Sequence, residues 1–221
     1  VIPPEQNAAF VWRMEEILDL YEEPYDPRYP VVCFDERPCR LLSEVRAPLP
    51  VKPGSPARFD SEYQRRGTCH VLMAFEPLAG WRHVSVSKHR RKREFSDFMR
   101  YLAEEAYPQA DRVGVVMDNL NTHTPSAFYE FFDAERARRL ARKLGFVYTP
   151  VHGSWLNMAE IELSVLVRQC LRRCLPDMET LGGELEAWEA ERNGSEAGVD
   201  WRFTTPDART KLRRLYPSIE D

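Results

Sequence analysis

The sequence predicts an α/β fold, a five-stranded mixed sheet flanked by helices. Three observations lead there. Short apolar, β-prone runs recur along the 221 residues. Two of them, "TCHVLMAFE" (68–76) and "RHVSVSK" (82–88), flank the turn-forming "PLAG", as a hairpin does. After residue 90, strand-like runs alternate with segments whose apolar residues fall three and four apart. Hairpin-joined strands followed by strand–helix alternation put antiparallel and parallel pairing into one sheet, with helices on both faces.

Residues 5–23 read as an amphipathic helix, because Phe10, Met14, Ile17, Leu18 and Tyr21 share one side. Pro24 and the "PYDPRYP" cluster end it, so 1–29 form an N-terminal helix and linker. "VVCF" (31–34) is the first strand, and Pro38 is expected to stop it. Residues 36–68, with "PLPVKPGSP" at their centre, read as a long arm or loop insertion. Residues 91–106 form a helix, "RVGVVMD" (112–118) a fourth strand, and 125–143 a second helix ended by Gly145. "FVYTP" (146–150) is the fifth strand. A helix opens near residue 155, another covers 177–193, and 194–221 read as an irregular tail. This order matches the ribonuclease H-like fold over 30–193.

Composition narrows the function. With 43% hydrophobic and 30% charged residues the chain can bury a core and stay soluble. No apolar run is long enough for a membrane span, and "VIPPEQNAAF" lacks the pattern of a signal peptide. The chain begins at Val1, as a fragment or processed chain would. Five cysteines without a CxxC pair argue against a disulfide framework or zinc ribbon and point to a reducing cytoplasm. Net charge is −4, but "KHRRKR" (88–93), "RARRLARK" (136–143) and "RQCLRR" (168–173) concentrate basic residues. Alone, each reads as a solvated helix face; together they could hold phosphates.

Two strands end in aspartate, Asp35 and Asp118. If those strands are adjacent, their carboxylates approach, and like charges stay ionised together only with a cation between them. A third acid comes from helix geometry. Leu156, Glu160, Leu163, Val167 and Cys170 form one stripe, on which Glu160 is the single charge. Glu162 points about 200° away around the helix and reads as a solvated residue. Glu36 is expected on the face opposite Asp35. Asp35, Asp118 and Glu160 are therefore candidate ligands for two Mg²⁺ or Mn²⁺ ions, which oxygen donors suit. Such a pair serves phosphodiester displacement.

At these residues, "CFDERP", "VVMDNLNTHTP" and "TPVHGSWLNMAEIE" resemble the three signature blocks of DDE transposases of the bacterial insertion-sequence 630 family, in the mariner superfamily. "RRGTCHVLMAFEPLAG" and "HRRKREFSDFMRYL" resemble it between the blocks. The resemblance implies catalysis by Asp35, Asp118 and Glu160 with two Mg²⁺ ions: hydrolysis at transposon ends, then joining of the 3′ ends to target DNA. It also implies a DNA-bound homodimer, which the 36–68 arm could help to build. The family's helix-turn-helix region for end recognition is then expected to be missing here or separately encoded.

Several neighbours of the acids carry two readings. Asn119 and His123 either orient the site or touch DNA, or they shape a turn before Pro125. His152 and Ser154 either contact phosphate at a helix N-terminus or, for Ser154, cap the helix. Trp155 either stacks on a base or packs in the core. Asn157 belongs to the same block and is grouped with the DNA contacts. Arg90, Arg91, Lys92 and Arg93 begin a helix, where cations are unfavourable, which favours an external polyanion. The competing functions are a metal-dependent nuclease of the same fold that cuts without joining, and a non-enzymatic DNA-binding remnant.

Overall fold

The computed structural model describes residues 6–45 and 62–218. Its strands form one mixed sheet in the order β3-β2-β1-β4-β5. The central strand β1 (Val31–Glu44) runs antiparallel to β2 (Tyr63–Glu76) and parallel to β4 (Val113–Met117). β3 (Trp81–Ser87) is the edge beyond β2, and β5 (Leu144–Tyr148) the edge beyond β4.

Strand alternation assigns two faces. Val32 and Phe34 of β1, with Val113, Val115 and Met117 of β4, pack against α2 (Lys92–Tyr101), α3 (Phe128–Phe131) and α4 (Ala134–Lys143). Cys33, Phe75 and Val116 face the other layer, made by α1 (Ala8–Glu22), the start of α5 (Met158–Gln169) and α7 (Thr205–Lys211). That face continues as Val71, Met73 and Val84 against Leu163 and Leu166 of α5 and Leu181 and Leu185 of α6 (Met178–Gly194). Full burial of one such side chain is worth about 1.5–3 kcal/mol, so a one-residue slip of any strand is heavily penalised. Among the described residues, no helix is long and apolar enough to cross a membrane.

Several elements depart from expectation. Pro38 does not stop β1, which pairs with β2 as far as Glu44, and β2 begins at Tyr63. Much of the expected 36–68 arm is therefore paired strand, and its Pro/Gly-rich centre lies outside the described residues. The carbonyl of Pro30 accepts from Gly114 of β4, so even-numbered residues of β1 aim their backbone groups to that side. Pairing with β4 ends at Cys33. The missing N–H of Pro38 thus faces an edge that no described strand occupies, where proline is tolerated.

The 125–143 helix is broken. A 3₁₀ turn (Pro125–Ala127) leads into α3, and Asp133 then caps α4 by accepting from the Arg136 N–H at 2.9 Å. Gly145 lies inside β5 and ends no helix. A β-carbon there would come within 2.6 Å of the Arg112 side chain, so glycine permits the close approach. Nor is the tail irregular throughout: α7 and a 3₁₀ turn (Arg213–Leu215) lay Ala208 and Leu215 onto the layer containing α1.

Glu162 is the largest correction. It is buried rather than solvated, because α6 and β3 enclose that side of α5. Arg192 donates to both its oxygens at 3.0 and 3.1 Å. Fully buried Arg82 brings Nε to 3.0 Å from Oε1, close enough for an ion pair but out of line for a hydrogen bond. Arg82 also donates to Asn193 and to the carbonyl of Ala197, and lies over the Phe75 ring. Removing one partner of a buried pair strands the other charge. Glu162→Ala should therefore destabilise the protein by roughly 3–5 kcal/mol in urea unfolding, whereas half-buried Glu160→Ala should leave the midpoint close to wild type. Equal losses in the two variants would contradict this assignment.

Candidate active site

The three acids arrive at one end of the sheet from three elements. Asp35 lies on β1, on the face that carries Cys33. Asp118 follows the last residue of β4, and Glu160 sits in the first turn of α5. Ser154 does not cap α5; a 3₁₀ turn (Ser154–Leu156) comes first, and Asn157 is the cap. The Asn157 side chain accepts from the Ala159 N–H at 3.1 Å and donates to the Phe34 carbonyl at 2.9 Å. One buried amide thus ties the helix bearing Glu160 to the strand bearing Asp35.

Asp35 and Glu160 line an open cleft of about 490 Å³ with Arg37, Leu163 and Ser164. Burial pushes the Asp35 carboxyl up to about 7. The Glu36 N–H, donating to it at 2.7 Å, works against the rise, and the charges of Asp118, Glu160 and Glu36 add to it. The acids therefore share one electrostatic field, and their oxygens are the donor type that hard divalent cations take. They are not drawn into a closed cluster: no group of three or more His, Cys, Asp or Glu among the described residues is positioned to hold a metal.

Asp118 is oriented from the other side. His123, almost fully buried, brings Nδ1 to 2.6 Å from Asp118 Oδ1 and Nε2 to 3.2 Å from Glu36 Oε1. Burial alone would lower the His123 pKa, but the bonds to the two carboxylates raise it to about 9. The ring is therefore charged at neutral pH, stacked on Phe95 with centroids 4.9 Å apart. Arg90 Nε makes an ion pair with the other Glu36 oxygen. The result is a chain of alternating charge, Arg90, Glu36, His123, Asp118. Glu36 does lie on the face opposite Asp35, but its side chain is enclosed there, paired with Arg90 and His123. Its role could have been found from its even position beside Phe34; its partners, distant in sequence, could not.

The other predicted DNA contacts divide. Asn119, His152 and Ser154 are exposed, and His152 has a positive φ of 67°. Arg91 is exposed at the start of α2, its N–H held by Glu94. Lys92 pairs with Glu130, and Arg93 with Asp97 at 2.8 Å. Three expected contacts are buried or packed instead. His123 and Asn157 are used as above. Trp155 stacks on Trp201, centroids 6.3 Å apart, and meets Phe203 edge-on. The C-terminal segment thus packs on this ring, in line with the second of its two readings.

These acids, on these elements, fall within residues 30–182, which match the model of the DDE superfamily endonuclease family. The chain belongs to that family. Among solved structures it is similar to the Mos1 mariner paired end complex with Mn, at 16% identity and a TM-score of 0.55, covering 89% of this chain and 61% of that one. The Mos1 strand transfer complex matches at 16% identity and 0.57, covering 89% and 60%. The Mos1 paired end complex with Mg gives 16% and 0.56, covering 99% and 66%. The chain thus spans about three fifths of the length of the first of these relatives, and the likeness establishes the ribonuclease H-like fold. No curated protein matches the chain.

The raised Asp35 pKa has a signed consequence for the metal-free protein. Well below pH 4 the carboxyl is neutral folded and unfolded. As pH rises toward 7 the unfolded chain ionises first, and stability is lost until the folded carboxyl has ionised too. Asn keeps an oxygen acceptor for the Glu36 N–H but cannot ionise. Asp35→Asn should match wild type near pH 4 and show a higher urea midpoint at pH 8, both in EDTA. Equal midpoints at pH 8 would show that the acid is not under electrostatic stress.

Proposed function

We propose that the chain carries the catalytic domain of a DNA transposase of the insertion-sequence 630 type, which cuts phosphodiester bonds at transposon ends and joins the ends to target DNA. The supporting observation is the convergence of Asp35, Asp118 and Glu160, each from one of the three resembling blocks, at one end of the sheet beside an open cleft. These three would hold two Mg²⁺ or Mn²⁺ ions. When bound, such ions supply a stronger oxygen nucleophile and charge stabilisation for the leaving oxygen.

The protein's own contributions follow from its contacts. His123 holds one oxygen of Asp118 and leaves the second outside that contact. Asn157 sets the helix carrying Glu160 against β1. Asn119, His152, Ser154 and Arg91 are exposed, available to phosphates. Arg90, Lys92 and Arg93 could join them only by exchanging carboxylate partners for phosphate. Paired-end chemistry calls for a homodimer on DNA, and the expected setting is the bacterial cytoplasm, at the nucleoid.

The test supplies a pre-cleaved transposon end, target DNA and Mn²⁺, with joined product as the readout. Asp35→Asn, Asp118→Asn and Glu160→Gln should each abolish joining. His123→Gln, which frees Asp118, should lower metal affinity or activity by about 10–100-fold. Cutting without joining would replace this reading with a nuclease. Absence of Mn²⁺ binding in calorimetry would replace it with a non-enzymatic DNA-binding module.

A further inference from the structure

The cleft beside Asp35 and Glu160 is lined by one cation, Arg37. It stands two positions after Asp35 on β1, on the same face and about 7 Å along the strand. Arg37 is exposed, and its side chain makes no ion pair or hydrogen bond among the described residues. Other arginines on these elements are engaged: Arg90 pairs with Glu36, and Arg82 and Arg192 close on Glu162. Asp35 and Glu160, which share the cleft with Arg37, have no ion-pair partner among the described residues. Ser164, the other side-chain donor on the lining, is spent, because its hydroxyl donates to the Glu160 carbonyl at 2.8 Å. Free acids and a free guanidinium thus stand in one cleft without neutralising each other.

We propose that Arg37 binds a backbone phosphate of the DNA strand being cut, next to the scissile one, and so sets the register of that strand along β1. This inference rests on the transposase reading above. A guanidinium presents a planar fork that matches two phosphate oxygens and stays charged at any working pH. Arg37 can take up a phosphate without first giving up a carboxylate, which Arg90, Lys92 and Arg93 must do. The contact is to the backbone, so it positions the strand without reading its sequence.

The experiment follows binding of a transposon-end duplex by fluorescence anisotropy across a salt series, with Ca²⁺ in place of Mn²⁺ so that the DNA stays intact. Arg112 supplies the control for lost charge. It is exposed, its side chain has no ion pair among the described residues, and it precedes β4, at the end of the sheet away from Asp118. Arg37→Gln should weaken binding about ten-fold and lower the slope of log K against log salt by about 0.9. Arg37→Lys should keep the slope, and Arg112→Gln should keep both slope and affinity. Single neutral methylphosphonates are then placed in turn along the strand to be cut. At one position the change should weaken wild type about as much and leave Arg37→Gln unaffected. Mn²⁺ affinity by calorimetry should be equal in wild type and Arg37→Gln. Four results would each overturn the proposal: Arg37→Gln binding like wild type, an equal loss in Arg112→Gln, every harmful methylphosphonate acting equally on both proteins, or Mn²⁺ affinity falling with Arg37. Failure of wild type itself to bind DNA would remove the transposase reading and this inference together.

Discussion

The side-chain amide of Asn157 makes two bonds on which the geometry of the acids depends. Its oxygen closes the first turn of α5, and its nitrogen holds the carbonyl of Phe34. A helix N-terminus leaves backbone donors unsatisfied, and β1 leaves acceptors unsatisfied once β4 has ended. One residue answers both needs, inside a buried space where neither group could turn to water. The separation of Asp35 and Glu160 is thereby referred to a single short connection rather than to the loops between them. The Arg82–Glu162–Arg192 ion pairs then hold the far side of the same helix. The helix is gripped on both flanks, which limits its rotation about its own axis.

That fixation works against repulsion. Asp35 is buried, and Asp118 and Glu160 are brought close enough for their charges to act on it; burial first, and those charges after it, push its carboxyl up to about 7. A structure optimised for stability alone would separate them. The chain instead places compensating charge on the opposite face of β1, where Arg90, Glu36 and His123 form a chain of alternating charge that Asp118 completes. Adjacent residues of one strand, Asp35 and Glu36, thus serve opposite sides of the sheet: one is left electrostatically unsatisfied, and the other belongs to a neutralised network. The proposed cation site would draw on this asymmetry, since an acid left without a partner is free to take a metal.

Much of this was legible in the chain. The order of elements along the chain, the mixed sheet and the helices on both faces follow from apolar periodicity and from the hairpin at "PLAG". The strand-end positions of Asp35 and Asp118, and the place of Glu160 on its stripe, follow from the same periodicities. What escaped reading depends on distant partners. Glu162 resembles a surface residue until Arg82, eighty positions earlier, is seen beneath it. Trp155 resembles a base-stacking platform until Trp201 and Phe203 are seen to cover it. Pro38 signals a break, and only the direction of the neighbouring carbonyls shows why β1 can pass through it.

Pro38 has one more consequence. Beyond Cys33 the central strand turns one row of backbone groups toward the cleft with no described strand beside it. An exposed row of that kind is a template for an intruding strand. The Asp35 carboxylate occupies the Glu36 N–H, and Pro38 has none to give. Two successive donors on that row are therefore closed to a visiting backbone. The cleft mouth resists being sealed by β-sheet growth and stays open to a ligand that approaches through its charges.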